Sequence, residues 1–196
     1  MHNWHDPSYL QHGTLQQQQA CQVLQALEVK RRLAAYEPVL TGTVPLDIDV
    51  PGSDLDIICA VPLAAQPAFA QLLRAHYGHL PGFSLRRGLV GGLESVVSNF
   101  YCEGLPIEVF GQGLPTRQQN AYRHLLVEHA VLQTGGEAWR LAVRALKQQG
   151  LKTEPAFARL LRLPNHSPYQ ALLQLEKLPP AALTALVAGC PLPPGQ

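Results

Sequence analysis

The chain is short of cysteine, of net charge and of long apolar runs, and each shortage excludes a class of protein. Its four cysteines (Cys21, Cys59, Cys102, Cys190) are widely scattered without a Cys-x-x-Cys pair, so neither a tight disulfide framework nor a cysteine-based zinc site can be laid on them. Cys59 and Cys102 fall in apolar, strand-like runs, where a reduced, packed thiol is expected. Lys and Arg number 15 against 14 Asp and Glu, a formal net charge of +1. Composition therefore advertises neither a nucleic-acid nor a membrane surface. No stretch approaches the roughly 18 uninterrupted apolar residues of a membrane span. No apolar run follows the first polar residues as it would in a signal peptide. The expectation is a soluble, cytoplasmic protein. Also missing are a Gly-x-Gly-x-x-Gly loop, a P-loop ending in Gly-Lys-Ser/Thr and a Gly-x-Ser-x-Gly elbow. Those absences remove the commonest rival nucleotide and hydrolase readings. The eight histidines offer no zinc set: His76 and His79 straddle Gly78, and His124 with Glu128, four apart, reads as a surface or cap pair.

What is present suits a folded protein: 46% of the 196 residues are apolar, enough for one substantial core. Residues 1–13 read as an irregular lead-in. Thr14 is a good N-cap for a helix running to about Tyr36, with Ala20, Val23, Leu24 and Leu27 on one stripe and Pro38 ending it. Val39–Val44 reads as a short strand, residues 45–53 as a loop with a Pro51-Gly52 turn, and Leu55–Val61 as a strand buried on both faces. Pro67–His76 suits a helix with proline in its first turn. Residues 78–92 are punctuated by glycine. Ser95–Cys102 and Ile107–Phe110 form a hairpin through Glu103–Pro106. Beyond Gly113 the pattern is helical, with a C-cap at Gly150, short helices over 155–163, 168–177 and 180–188, and a frayed Pro-rich end from Pro191. The fold class is α/β (α+β): a small mixed sheet with its N-terminal helix over 1–113, then a helical region over 114–196.

The chemistry concentrates between Gly42 and Ile57. Asp54 and Asp56 stand two apart at the start of a strand, so both carboxylates point to one face. Two such acids repel each other unless a divalent cation lies between them, and hard oxygen donors are what Mg²⁺ selects. Glu108, between Ile107 and Val109 in an otherwise apolar strand, is the third acid that would complete a two-metal site. Such a site supports attack of a hydroxyl on the α-phosphate of a nucleoside triphosphate. Gly42 lets backbone N–H groups approach phosphate oxygens, and the Thr43 hydroxyl adds a donor. Asp47 and Asp49 form a rival pair, in a Pro-bounded loop rather than before a buried strand. Glu103 competes with Glu108 but sits at a turn.

Gly42-Thr43, followed by Ser53-Asp54-x-Asp56 with the serine ten residues after the threonine, resembles the signature of the polymerase-β-like nucleotidyltransferase superfamily. This resemblance covers residues 39 to 110. The run Leu40–Cys59, together with Leu146–Phe157, is similar to a group of bacterial proteins, domain-of-unknown-function family 4269, over Tyr9 to Glu176. The superfamily resemblance implies that Asp54, Asp56 and Glu108 hold two Mg²⁺ ions, with Mn²⁺ as a possible substitute. It places Gly42, Thr43 and Ser53 at the triphosphate. Thr43 replaces the usual serine and keeps the hydroxyl. The implied reaction moves a nucleoside monophosphate from an NTP to a hydroxyl of an RNA end, a protein or a small molecule. The alternative is a catalytically silent nucleotide-binding or antitoxin-like partner on the same fold.

Arg140, Arg144 and Lys147 line one helical face, with Lys152 just beyond its end. Arg144, Lys147 and Lys152 are candidates for neutralising triphosphate or an RNA backbone. The competing reading is a solvated face with Glu137 paired to Arg140. Arg86 and Arg87 read either as a phosphate-contacting loop or as surface arginines of a hairpin. Arg117, Asn120, Arg123 and His124 open the helical half within possible reach of substrate.

Overall fold

The computed structural model of the chain describes residues 2–164 and 166–192. It falls into two compact units, Met1–Pro45 with Gly52–Gln119, and Leu46–Pro51 with Asn120–Gln196. The chain thus leaves the first unit for a six-residue segment between its first two strands and then returns.

The first unit is built on a five-stranded sheet in the order β1-β2-β5-β4-β3. Its strands are β1 (Val39–Thr41), β2 (Leu55–Ala60), β3 (Ser84–Val90), β4 (Leu93–Cys102) and β5 (Leu105–Gln112). β2 and β5 run parallel, and every other pair is antiparallel. One face carries Leu40, Ile57, Val109 and Phe100 into a core shared with α1 (Leu15–Ala26), α2 (Val29–Arg32) and α3 (Gln66–Tyr77). From the helices come Val23, Leu24, Phe69, Leu73 and Tyr77. Phe69 is fully buried and sits edge-on to Tyr36; truncating such a ring costs about 3–5 kcal/mol. The Tyr77 hydroxyl donates to Leu27 O at 3.1 Å, which satisfies the one polar atom of that buried ring.

Thr14 caps α1 through a full capping box with Gln17. The helix expected to reach Tyr36 stops at Ala26, however, because Glu28 takes a left-handed conformation (φ 52°). The physical reason lies in the stripe. Continued at helical spacing from Leu24 and Leu27, it would point Lys30 and Arg31 inward; the break buries Val29 and Leu33 instead. The expected lead-in contains a 3-10 helix over Pro7–His12 that buries Leu10. The strand expected over 39–44 ends at Thr41, and Val44–Leu46 forms a 3-10 turn. Residues 78–92, read as glycine-punctuated with a loop or hairpin at Arg86-Arg87, contain β3. It is an edge strand with no buried residue and Gly88 inside it, so it shows no apolar alternation to detect.

The second unit is helical. Its long helix α4 (Asn120–Gln148) is kinked at Gly136 (φ 65°, ψ −154°), and α5 (Thr153–Leu160), α6 (Pro168–Gln174) and α7 (Pro180–Ala188) pack against it. Gly150 closes the turn after α4 with φ 94°, as expected of a C-cap. His124 and Glu128 are not a surface pair: their relative exposures are 7% and 3%. His124 Nδ1 lies 3.3 Å from Glu154 Oε1, and its Nε2 lies 3.1 Å from Tyr169 O. A carbonyl only accepts, so Nε2 carries a proton. Burial, then the charge of Glu154, holds the Glu128 carboxyl well above the usual carboxylate range, with Lys147 acting in the opposite direction. The Pro-rich end from Pro191, where fraying is expected, falls largely on residues 193–196, outside the described residues. Among the described residues, no helix is long and apolar enough to cross a membrane.

Candidate active site

Strand register gathers the acids. Thr41, Asp56, Glu108, Asn99 and Ser84 form one line across β1, β2, β5, β4 and β3. Directly opposed residues share a face, so this row projects away from the core side that holds Leu40, Ile57 and Val109. Asp56 and Glu108 are register partners on adjacent parallel strands, whose backbones run about 4.8 Å apart. Asp54 precedes β2 and continues the alternation that puts it on the side of Asp56. Asp54 is exposed, while Asp56 and Glu108 are half-buried.

Glu108 feels both its burial and the neighbouring Asp54. Burial raises the Glu108 carboxyl above its ordinary range, the Asp54 charge raises it further, and Arg86 pulls the other way. Thr41 Oγ1 donates to Asp56 O at 3.3 Å and braces the strand end. Gly42 has φ 76°, and a methyl group there would collide with Asp56 Oδ2. Only glycine both adopts that conformation easily and leaves the carboxylate its place. Thr43 and Ser53 are half-buried on either side of the loop that joins β1 to β2.

Among the described residues, no three His, Cys, Asp or Glu side chains close a metal cage as they stand. The donor set nevertheless fits a hard divalent cation. It is all carboxylate oxygen, two members sit in register, and burial first and the Asp54 charge second raise the proton affinity of Glu108. Asp54, Asp56 and Glu108 would hold the metal.

The rival acids have another use. Arg144 Nη2 donates to both O and Oδ1 of Asp47 at 2.5 Å, and Lys147 Nζ donates to Ile48 O at 2.9 Å. Burial is the largest influence on the half-buried Asp49 carboxyl and raises it, while Arg144 and Lys147 both draw it down. A pair already faced by two cations is a poor metal site. Glu137 lies 3.6 Å from Arg144, not against Arg140 as the helical spacing suggested. Lys152 is exposed at the N-cap of α5. Glu103 stands at φ 49° beside Gly104 in the β4–β5 turn, outside the register row that holds Glu108. Arg123 donates to Glu176 at 3.0 and 2.5 Å, and His124 is buried within the helical unit. Arg86 belongs to the β3–β4 hairpin and shares the acid face; Arg87 alternates to the opposite side. Asn99 and Thr41 join the row, and Arg86 its face, on structural grounds. The sequence marks Arg86 and Arg87 as a pair, and it is the alternation of β3 that separates them.

A cavity of about 330 Å³ opens on the core side of the sheet, lined by Leu40, Ile57, Leu24 and Val29. It contains none of the three acids.

Over residues 22–175 the chain matches the family described as domain of unknown function DUF4269. No curated protein matches it. Solved structures of similar fold include the GLD-2/RNP-8 complex, with a TM-score of 0.53 and 10% identity over 80% of this chain and 63% of that one. The GLD-2–GLD-3 non-canonical poly(A) polymerase complex has a TM-score of 0.51 and 11% identity, over 83% and 53% of the two chains. The polymerase core of TRAMP, an RNA surveillance complex, has a TM-score of 0.50 and 14% identity, over 89% and 57%. The chain spans between half and two thirds of the length of these proteins, and identities so low establish fold alone. The shared architecture is the polymerase-β-like nucleotidyltransferase fold. With the family match running from within α1 to just beyond α6, the chain belongs to the DUF4269 family, built on that fold.

Proposed function

We propose that this protein is a divalent-metal-dependent nucleotidyltransferase that moves a nucleoside monophosphate from an NTP to a hydroxyl acceptor. The observation that carries the reading is the acid face itself: Asp56 and Glu108 in register, Asp54 close enough to perturb Glu108, and Gly42 turned to admit the Asp56 carboxylate. A structural role would not explain the placing of repelling carboxylates on one face of a small sheet. Bound Mg²⁺, or Mn²⁺, would supply Lewis-acid stabilisation of the attacking oxygen and of the pyrophosphate leaving group. Asp54 and Asp56 would hold the metal. Glu108 is read as the acid that completes the set and takes the proton of the acceptor hydroxyl. Gly42, Thr43 and Ser53 offer N–H and O–H donors to the triphosphate. Two structures of similar fold are described as a poly(A) polymerase complex and as part of an RNA surveillance complex, so an RNA end is the first acceptor to try.

The test is pyrophosphate release from each of the four NTPs with Mg²⁺, with and without an RNA oligonucleotide, comparing wild type with Asp54→Ala. Release that needs Mg²⁺, stops with chelator and is lost in the variant supports the reading. Mg²⁺-dependent NTP binding without release under any of these conditions turns it toward a silent nucleotide-binding protein.

A further inference from the structure

The acid face does not end at Glu108. Its row continues through Asn99 on β4 and Ser84 on β3. Two residues along each strand, on the same side, stand Tyr101 and Arg86. All four belong to the first unit. Continuing the β3–β4 register puts Gly82 opposite Tyr101, and the ring lies over that glycine: a methyl group there would come within 2.9 Å of Tyr101 Cδ2. The ring is thus held against the sheet while the residue stays 52% exposed. Arg86 is exposed as well. It lies two strands from Glu108, about 10 Å of backbone, yet its charge still draws the Glu108 carboxyl downward. Arg87, next in the chain and also exposed, turns to the other side of the sheet.

We propose that this outer half of the acid face is the acceptor subsite, where Arg86 and Tyr101 take the 3′ end of a single-stranded nucleic acid. This inference rests on the nucleotidyl-transfer reading above and names its acceptor. In an in-line displacement the attacking and leaving oxygens stand on opposite sides of the phosphorus. The acceptor hydroxyl forms the new P–O bond and gives its proton to Glu108. The bond to the β-phosphate breaks, and its electron pair leaves with pyrophosphate. Gly42, Thr43 and Ser53 offer their donors on the β1 side of the acids, so the acceptor comes from the other side, over β4 and β3. There it meets a guanidinium, whose fork matches phosphate oxygens, and an open aromatic ring. A 3′-terminal nucleotide brings both partners: a base to stack, and a phosphodiester one nucleoside behind its hydroxyl. A protein hydroxyl or a simple alcohol brings neither.

Binding measured apart from turnover tests the surface, with Arg87 as the control on the opposite face. Affinity of the full chain for a 5′-labelled single-stranded RNA oligonucleotide is read by fluorescence anisotropy without NTP, for wild type, Arg86→Ala, Tyr101→Ala and Arg87→Ala. The subsite predicts binding weaker by about tenfold in Arg86→Ala and in Tyr101→Ala, and by less than about twofold in Arg87→Ala. Arg86→Ala should also lower the salt dependence of binding by about one phosphate contact, and Tyr101→Phe should keep wild-type affinity. In the pyrophosphate assay Arg86→Ala and Tyr101→Ala should raise KM for the oligonucleotide about tenfold and leave KM for NTP within about twofold. Equal losses in Arg86→Ala and Arg87→Ala would reduce the effect to net charge and overturn the proposal. So would the absence of wild-type binding to the oligonucleotide both as RNA and as DNA, or turnover on a protein or small alcohol that Arg86→Ala leaves unchanged. A wild type that binds RNA with the Arg86–Arg87 asymmetry but releases no pyrophosphate fails the nucleotidyl-transfer reading by itself, while the binding arm still supports the nucleic-acid surface. Should Tyr101→Ala not fold, Tyr101→Leu against Tyr101→Phe carries the same comparison.

Discussion

Two Asp-x-Asp pairs lie seven residues apart in one run of chain, and the structure uses them in opposite ways. Asp47 and Asp49 sit in the helical unit facing Arg144 and Lys147, where carboxylate and carbonyl oxygens are met by guanidinium and ammonium. Asp54 and Asp56 lead into β2 and share a face with a third acid, Glu108, whose proton affinity is raised by burial first and by the nearby Asp54 second. Spacing is identical, so spacing does not make a metal site. What distinguishes the pairs is the charge on the neighbouring element: a helix that brings cations neutralises one pair, and a strand that brings another carboxylate leaves the other wanting a cation.

That contrast is sharpest when each pair is neutralised in turn. Asp56→Asn is expected to lower pyrophosphate release by about 10²–10³-fold or more with unfolding unchanged, whereas Asp49→Asn changes it by less than about threefold. Equal losses would merge the two pairs into one site and break the comparison. The glycines that flank the pairs give a second contrast. Gly42→Ala combines a strained φ with a collision against Asp56 and should cost about 1–3 kcal/mol in urea unfolding, together with most of the turnover. Gly52→Ala meets open space and pays only for its φ of 87°, about 1 kcal/mol. Identical costs would mean that the Asp56 carboxylate moves aside freely.

The smallest effect concerns the buried acid of the helical unit. Glu128 has a folded-state pKa raised well above its ordinary value of 4.5. Below that value both states are protonated and the group does not affect stability. Above it the unfolded chain releases the proton while the native state retains it, so stability falls as pH rises toward the folded-state pKa. The thermal midpoint of the wild type should therefore decline from about pH 4.5 upward, and Glu128→Gln should flatten that slope. A slope unchanged by the substitution would show that Glu128 ionises as readily in the native state as in the unfolded chain.

Much of this was legible because local physics and tertiary structure agree. Thr14 caps α1, Leu55–Ala60 reads as a buried strand, the β4–β5 hairpin turns at Glu103-Gly104, and Gly150 ends a helix. Where they disagree, the sequence misleads for identifiable reasons. The break at Glu28 follows from a shift in which residues must be buried, and that depends on the sheet beneath. β3 lacks alternation because it is an edge strand without buried residues. His124 and Glu128 look like a surface pair at helical spacing, yet α5 and α6 pack over that part of α4 and bring Glu154 and Tyr169 to the imidazole.

The sequence by itself determined the acids, their strands and the glycine beside them, because strand periodicity puts Asp54 and Asp56 on one face and a Gly-Thr step before a loop permits a tight approach. Only the tertiary structure decided that Glu108 stands opposite Asp56, that Arg86 and Asn99 share its face, and that Arg144 and Lys147 face carbonyls of residues 47 and 48. Periodicity along a strand or helix is a property of a few neighbouring residues. Register between strands far apart in the chain, and the partner of a long flexible cation, depend on how whole elements pack, and no short window of sequence contains that information.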